Sequence, residues 1–233
     1  VGTPELMSCF EGTISVRIPT LLSTVAQRLR RIKTKRAPRE AGVISLIGEI
    51  FVRNEEFSRK DIVEFLEGEG FMVKVAPVSE YLGYSSYVVN NGLGEREFTF
   101  KERLKMRLTA RVQQWWEQRI KSILAQSGWY RFEMNDVGRT IDGVSHLMDK
   151  NMRGETILTI GLGLREILDP SCGIVSIGPF GCMPSRVAES VLRSEMTVDG
   201  KKRSGFEAGR TAELGSIHAL PALFIETDGT PFP

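Results

Sequence analysis

An α/β fold, a Rossmann-like doubly wound parallel sheet of about four strands with a helical insertion, is what this sequence predicts, and three observations predict it. Apolar, largely β-branched runs of strand length recur at 43–47, 71–75, 173–177 and 220–225. Stretches of helical period separate them, as the crossovers of a parallel sheet require. The third run, Ile174-Val175-Ser176-Ile177, passes directly into the turn Gly178-Pro179-Phe180-Gly181-Cys182 and then into a helical stripe of Val187, Ala188, Val191 and Leu192. Pro184 falls in the first turn of that helix, where its missing N–H would be unpaired anyway.

Taken in order, residues 1–41 read as a helical lead-in, with Leu21, Leu22, Val25, Leu29 and Ile32 at helical spacing and Pro19 expected near the start of the main helix. Residues 42–233 form the α/β domain. Its first strand, 43–47, is followed by an expected loop over 48–54, and Ser58 with Asp61 marks the start of a helix with Ile62, Val63, Phe65 and Leu66 on one face. Gly70 closes that helix and the second strand follows at once, which makes a short, right-handed βαβ unit. Thr99 and Glu102 form a capping box before a long apolar period from Leu104 to Leu124. This is expected to be the longest helix of the chain and to open a helical insertion over about 99–172, which includes a further helix over 155–167. The adjacent Trp115 and Trp116 cannot both face one core. Residues 197–216, polar and Gly-rich, are expected to be an exposed loop or hairpin, and 220–226 the fourth strand. The start at Val1 and the stop at Pro233, where a closing helix is due, suggest a piece of a longer protein.

The bulk composition excludes several classes. A hydrophobic content of 41% and a charged content of 26% describe an ordinary globular chain, and a net charge of +2 argues for neither nucleic acid nor an anionic membrane. No apolar run approaches the ~20 residues of a membrane span. Cys9, Cys172 and Cys182 make neither a disulfide framework nor a metal-binding pair, so a cytoplasmic, reducing setting is expected. The basic segment Arg28 to Arg39 reads as a solvated helix end rather than a nucleic-acid arm.

With the strand order 2-1-3-4, strands one and three are neighbours whose following helices lie on opposite faces, and the loops after them flank a crevice at the topological switch point. That places Gly48, Glu49, Phe51, Arg53 and Asn54 beside Gly178, Phe180, Gly181 and Cys182, with Thr227 and Asp228 one strand away. The usual cofactor motifs are missing. There is no P-loop, Gly161-Leu162-Gly163 lies in a helical stretch and reads as a packing feature, and His146 and His218 are isolated. Cys182 is either a buried structural cysteine or, since a helix N-terminus stabilises a thiolate, a nucleophile or metal ligand.

The segments IGEIFVRNEEFSRKDIVEFLEGEGFMVKV, GETILTIG, GIVSIGPFGCMPSRVAESVL and LPALFIETDGTPFP resemble the 2-hydroxyacyl-CoA dehydratase superfamily, in particular its activase-related branch, over most of residues 42–233. The turn GPFGCMP is the most specific part. The resemblance implies that Cys182 is one of several ligands to an iron–sulfur cluster, in a system that carries one electron from an ATP-driven activator into dehydration of a 2-hydroxyacyl-CoA. The crevice set by the strand order makes Gly48, Glu49, Arg53, Gly178, Phe180 and Gly181 the expected cofactor-binding residues. The other cluster cysteines and a nucleotide-binding motif are absent, and one thiolate cannot hold a cluster that normally takes four protein ligands. The expectation is therefore a carboxyl-terminal lobe, metal-free alone, whose partner is the rest of a parent chain or a subunit with the remaining ligands; an acyl-CoA is the possible substrate. The alternative is a non-catalytic domain of the same fold that docks an activator or dehydratase subunit.

Overall fold

Ile44 and Leu46 alternate with Ser45 and Ile47, so a strand here must bury apolar side chains on both faces, and only a central parallel strand does that. The computed structural model describes residues 4–34, 40–93, 99–152, 154–206 and 218–228, with side chains from residue 17 onward. Its elements run α1 (Pro4–Arg30), β1 (Val43–Gly48), α2 (Ile50–Asn54), α3 (Glu56–Arg59), α4 (Ile62–Gly68), β2 (Met72–Val75), α5 (Ser79–Asn90), α6 (Phe100–Ala125), α7 (Val137–Gly143), α8 (Thr156–Glu166), β3 (Gly173–Pro179), α9 (Met183–Glu195), α10 (Val198–Arg203) and β4 (Ala222–Thr227). The strands form one four-stranded sheet of order β2-β1-β3-β4, and all three pairings are parallel. The predicted class, order and β1–β3 adjacency are those observed.

Two compact units divide the chain. One takes Val1–Glu40 with Leu104–Met134, the other Ala41–Arg103 with Asn135–Pro233. In the first, the Trp129 indole donates to the Leu29 carbonyl at 2.9 Å, and Lys121 donates to the Glu133 carbonyl while pairing with Glu117 at 2.6 Å.

In the second unit the sheet is covered on both faces. Leu46, Val175 and Ile177 pack with Val52 of α2 and with Ile62, Val63 and Leu66 of α4 on one side. Ile47 and Ile174 pack with α7, α8 and α9 on the other, in the larger core. Each fully buried Leu or Ile contributes roughly 1.5–3 kcal/mol relative to exposure. α8 is buried almost all round, from Thr156 to Leu164, because it lies between the sheet and α7, α9 and α10. The Gly161-Leu162-Gly163 doublet serves that packing. A Cβ at Gly161 would meet the Thr140 carbonyl oxygen at 2.6 Å, and one at Gly163 would meet Leu192 at 3.0 Å.

Several local expectations are corrected. Residues 50–54 are not loop but the helix α2, because Glu49 caps it by accepting from the Val52 N–H at 2.8 Å. Ser58 lies inside α3, whose cap is Glu55, accepting from the N–H groups of Phe57 and Ser58. Asp61 precedes α4 but makes no side-chain cap bond. Pro19 is interior to α1, which at 27 residues exceeds α6 at 26; one proline removes a single helical N–H, and the helix runs on past it. The Thr99–Glu102 box forms as expected, with the Thr99 N–H donating to the Glu102 carboxylate at 2.9 Å, and α6 runs unbroken past Arg111. Of the expected loop at 197–216, residues 198–203 are helix α10, capped by the Thr197 hydroxyl; 207–217 lie outside the described residues.

Candidate functional site

Gly48 ends β1 against Ile177 of β3, and the Glu49 N–H continues the ladder by donating to the Ile177 carbonyl at 2.9 Å. The loops after β1 and β3 therefore start side by side at the carboxyl edge of the sheet, where open α/β sheets bind ligands. On the β1 side Glu49 is tied into its cap, and Phe51 is 64% exposed. The Ile50 N–H donates to the Glu155 carboxylate at 3.1 Å, which brings the start of α8 to this loop. Burial pushes the Glu155 carboxyl above its ordinary value, with the Glu49 charge adding to the effect. On the β3 side Phe180 is exposed, and its N–H donates to the Thr227 carbonyl at 2.8 Å, which links the turn to β4. Gly181 makes the turn with φ +69, and a Cβ at Gly178 would meet the Ser185 hydroxyl at 2.4 Å, so α9 lies close over the strand end. Cys182 is the N-cap of α9, half-buried, its thiol making no cap bond. The strand–turn–helix pattern thus delivers Cys182 to the predicted rim.

Arg53 is placed differently from an open rim residue. Its side chain is buried, one nitrogen donating to the Gly48 carbonyl at 3.0 Å and another 3.8 Å from Glu80. From there a chain of alternating charges runs beneath the sheet. Glu80 lies 3.6 Å from Arg165, Arg165 pairs with Glu166 at 3.1 Å, and Glu166 accepts from Lys74 at 2.6 Å and from the Ser45 hydroxyl at 3.2 Å. Ser45 in turn hydrogen-bonds Ser171. Burial pushes Arg53 below its ordinary value despite Glu80. Burial also pushes Glu166 up, but Lys74 and Arg165 together bring it net below the usual carboxylate range. For Glu80, burial outweighs both arginines and raises its carboxyl from 4.5 to about 7.

That displacement has a definite sign. Between pH 4.5 and 7 the folded protein keeps the Glu80 proton while the unfolded chain has released it, so stability is full below this window and falls as pH rises through about 7. A loss on the order of 2–3 kcal/mol is expected in denaturation midpoints across that window, and Glu80→Gln should flatten the slope. A wild-type profile that rises over the same range would contradict the burial argument.

Glu80, Glu155, Arg165, Glu166 and Lys74 were not legible as a group. They come from α5, from α8 and its N-cap, and from β2, and nothing in their local sequence separates a buried charge from a solvated one. His146 and His218 are exposed, as isolated surface histidines would be.

The cluster implied by the resemblance can be tested on these residues. The Cys172 thiol donates to the Val43 carbonyl at 3.2 Å, at the amino end of β3 and so across the sheet from Cys182. Cys9 lies in the part of α1 whose side chains fall outside the described residues. Among the described residues no group of three His, Cys, Asp or Glu side chains could hold a metal ion. A single thiol does not fit a cluster that takes four protein ligands, so these residues by themselves do not make such a site.

Fold and rim define a Rossmann-like α/β protein with a half-buried cysteine at the carboxyl end of a central strand. No family profile, curated protein or solved structure matches the chain. Among the described residues no helix is long and apolar enough to cross a membrane.

Proposed function

We propose that this chain is the α/β lobe of an electron-handling protein of the 2-hydroxyacyl-CoA dehydratase type, contributing Cys182 as one ligand to an iron–sulfur cluster completed by another lobe or subunit. The observation that carries this reading is the placement of Cys182: half-buried, uncapped, at the start of a 13-residue helix and at the carboxyl edge of the sheet. A half-exposed thiol at that edge is open to a partner. Gly48, Glu49 and the start of α2, with the turn from Gly178 to Gly181, form the wall that an acyl-CoA or the completing lobe would meet. The single thiol at this edge among the described residues equally supports a second reading, a non-catalytic domain that docks an activator or dehydratase subunit.

Anaerobic purification of the intact parent separates the two. The first reading expects iron–sulfur absorption, and expects Cys182→Ser to lose most of the iron and sulfide while the fold stays intact, since one half-exposed sulfur contributes little packing. A Cys182→Ser parent with full iron and sulfide rejects the ligand assignment, and a colourless wild-type parent favours the docking domain.

A further inference from the structure

The near-neutral total charge hides a strong local bias in the first unit. On α6, Leu104, Leu108, Val112 and Trp115 fall at i, i+4, i+8 and i+11, one stripe of the helix, and each is between 48% and 57% exposed. The exposed charges around that stripe, Lys105, Arg107, Arg111 and Arg119, are all basic. The two acids of α6 are only half-exposed and engaged, Glu102 with Thr99 and Glu117 with Lys121 at 2.6 Å. α1 repeats the arrangement, with Ile18, Leu21 and Val25 exposed on one stripe. No acidic residue occurs in the sequence between Glu11 and Glu40.

A second regularity says what covers these stripes. Arg111 lies inside the α6 stripe, three residues after Leu108 and four before Trp115, and Arg28 holds the same position on α1, three after Val25 and four before Ile32. Both arginines are exposed. A protein partner would have to desolvate each guanidinium in the middle of the contact, which is costly without a matched carboxylate. A second copy would set one basic face against another. A polyanion such as nucleic acid would neutralise the cations but leave the leucines in water. A lipid interface accommodates both features, since the arginine stem lies along the acyl boundary while its head stays among phosphates, and Trp115 sits at the same depth.

We propose that the α1 and α6 faces bind the surface of an anionic phospholipid membrane, peripherally and in the interface plane. This does not depend on the role of Cys182. It replaces the expectation of no membrane partner, which rested on total charge, with a peripheral contact read from local charge.

The test is co-sedimentation of the full chain with vesicles of phosphatidylcholine alone or with about one-third phosphatidylglycerol. Retention should be at least ~10-fold greater on the anionic vesicles and fall with salt, at roughly fivefold per cation lost near the surface. Arg107→Glu with Arg111→Glu should abolish it, and Leu108→Ser with Val112→Ser should weaken it, both with unchanged circular dichroism because all four sites are exposed. Quenching of tryptophan emission by brominated-chain lipid should be strongly reduced in Trp115→Phe, in which Trp116 and Trp129 still emit. Equal retention on neutral vesicles, binding that survives the double charge reversal, or quenching undiminished in Trp115→Phe would overturn the proposal. Failure to bind any vesicle at low salt would do so too, whether the faces then prove to pair two copies or to hold an acidic protein.

Discussion

Gly48→Ala is expected to lower stability by about 3–5 kcal/mol, the sum of a strained left-handed backbone and a forced overlap in the core of the sheet. Gly48 has φ +107, and a Cβ there would come within 2.1 Å of the Ile177 carbonyl oxygen. That carbonyl accepts the Glu49 N–H, the bond that joins the loops after β1 and β3. Relief of the overlap must therefore move β1 and β3 apart at their carboxyl ends, and the Arg53 bond to the Gly48 carbonyl moves with them. Gly68→Ala is the matched control: it lies in α4, nothing lies within 4 Å of its Cβ position, and it should be neutral or stabilise by up to ~1 kcal/mol. Urea midpoints of the two variants check both statements, and a Gly48→Ala protein as stable as the control would show that the ladder tolerates a side chain there.

Lys201→Met should cost about 3–4 kcal/mol although it keeps the length and most of the volume of the side chain. Lys201 is fully buried on α10, and its ammonium donates to the carbonyls of Arg165, at 2.7 Å, and Ile167. These belong to the end of α8, where the last carbonyls have no partner within the helix. Nearby, the Ser171 N–H takes the Glu166 carbonyl at 3.0 Å, so Lys201 serves the two that flank it. Methionine would leave both buried and unpaired, at about 1–3 kcal/mol each. Burial pushes the Lys201 ammonium down to about 8. From there to the ordinary lysine value the unfolded chain holds the proton that the folded one has released, so stability should rise with pH over that window, and the methionine variant should not show the rise. A Lys201→Met midpoint within ~0.5 kcal/mol of wild type would mean that water satisfies those carbonyls instead.

The class of fold, the four strands, their order and the rim position of Cys182 were determined by the sequence. Strands announce themselves through local β-branched runs, and Gly178-Pro179-Phe180-Gly181-Cys182 followed by Pro184 is a turn and helix start written in consecutive residues. Backbone geometry of that kind is decided within a few residues, so one chain is enough to read it. Only the tertiary structure decided the fate of the charges. Arg53 was expected to line a cofactor site and Lys201 to lie in an exposed loop, yet one is locked between Gly48 and Glu80 and the other closes α8. The basic stripes of α1 and α6 were legible as helices but not as outward apolar faces. Burial and pairing depend on what other segments bring to the same place, across separations such as the 121 residues between Ser45 and Glu166, and no local pattern records that.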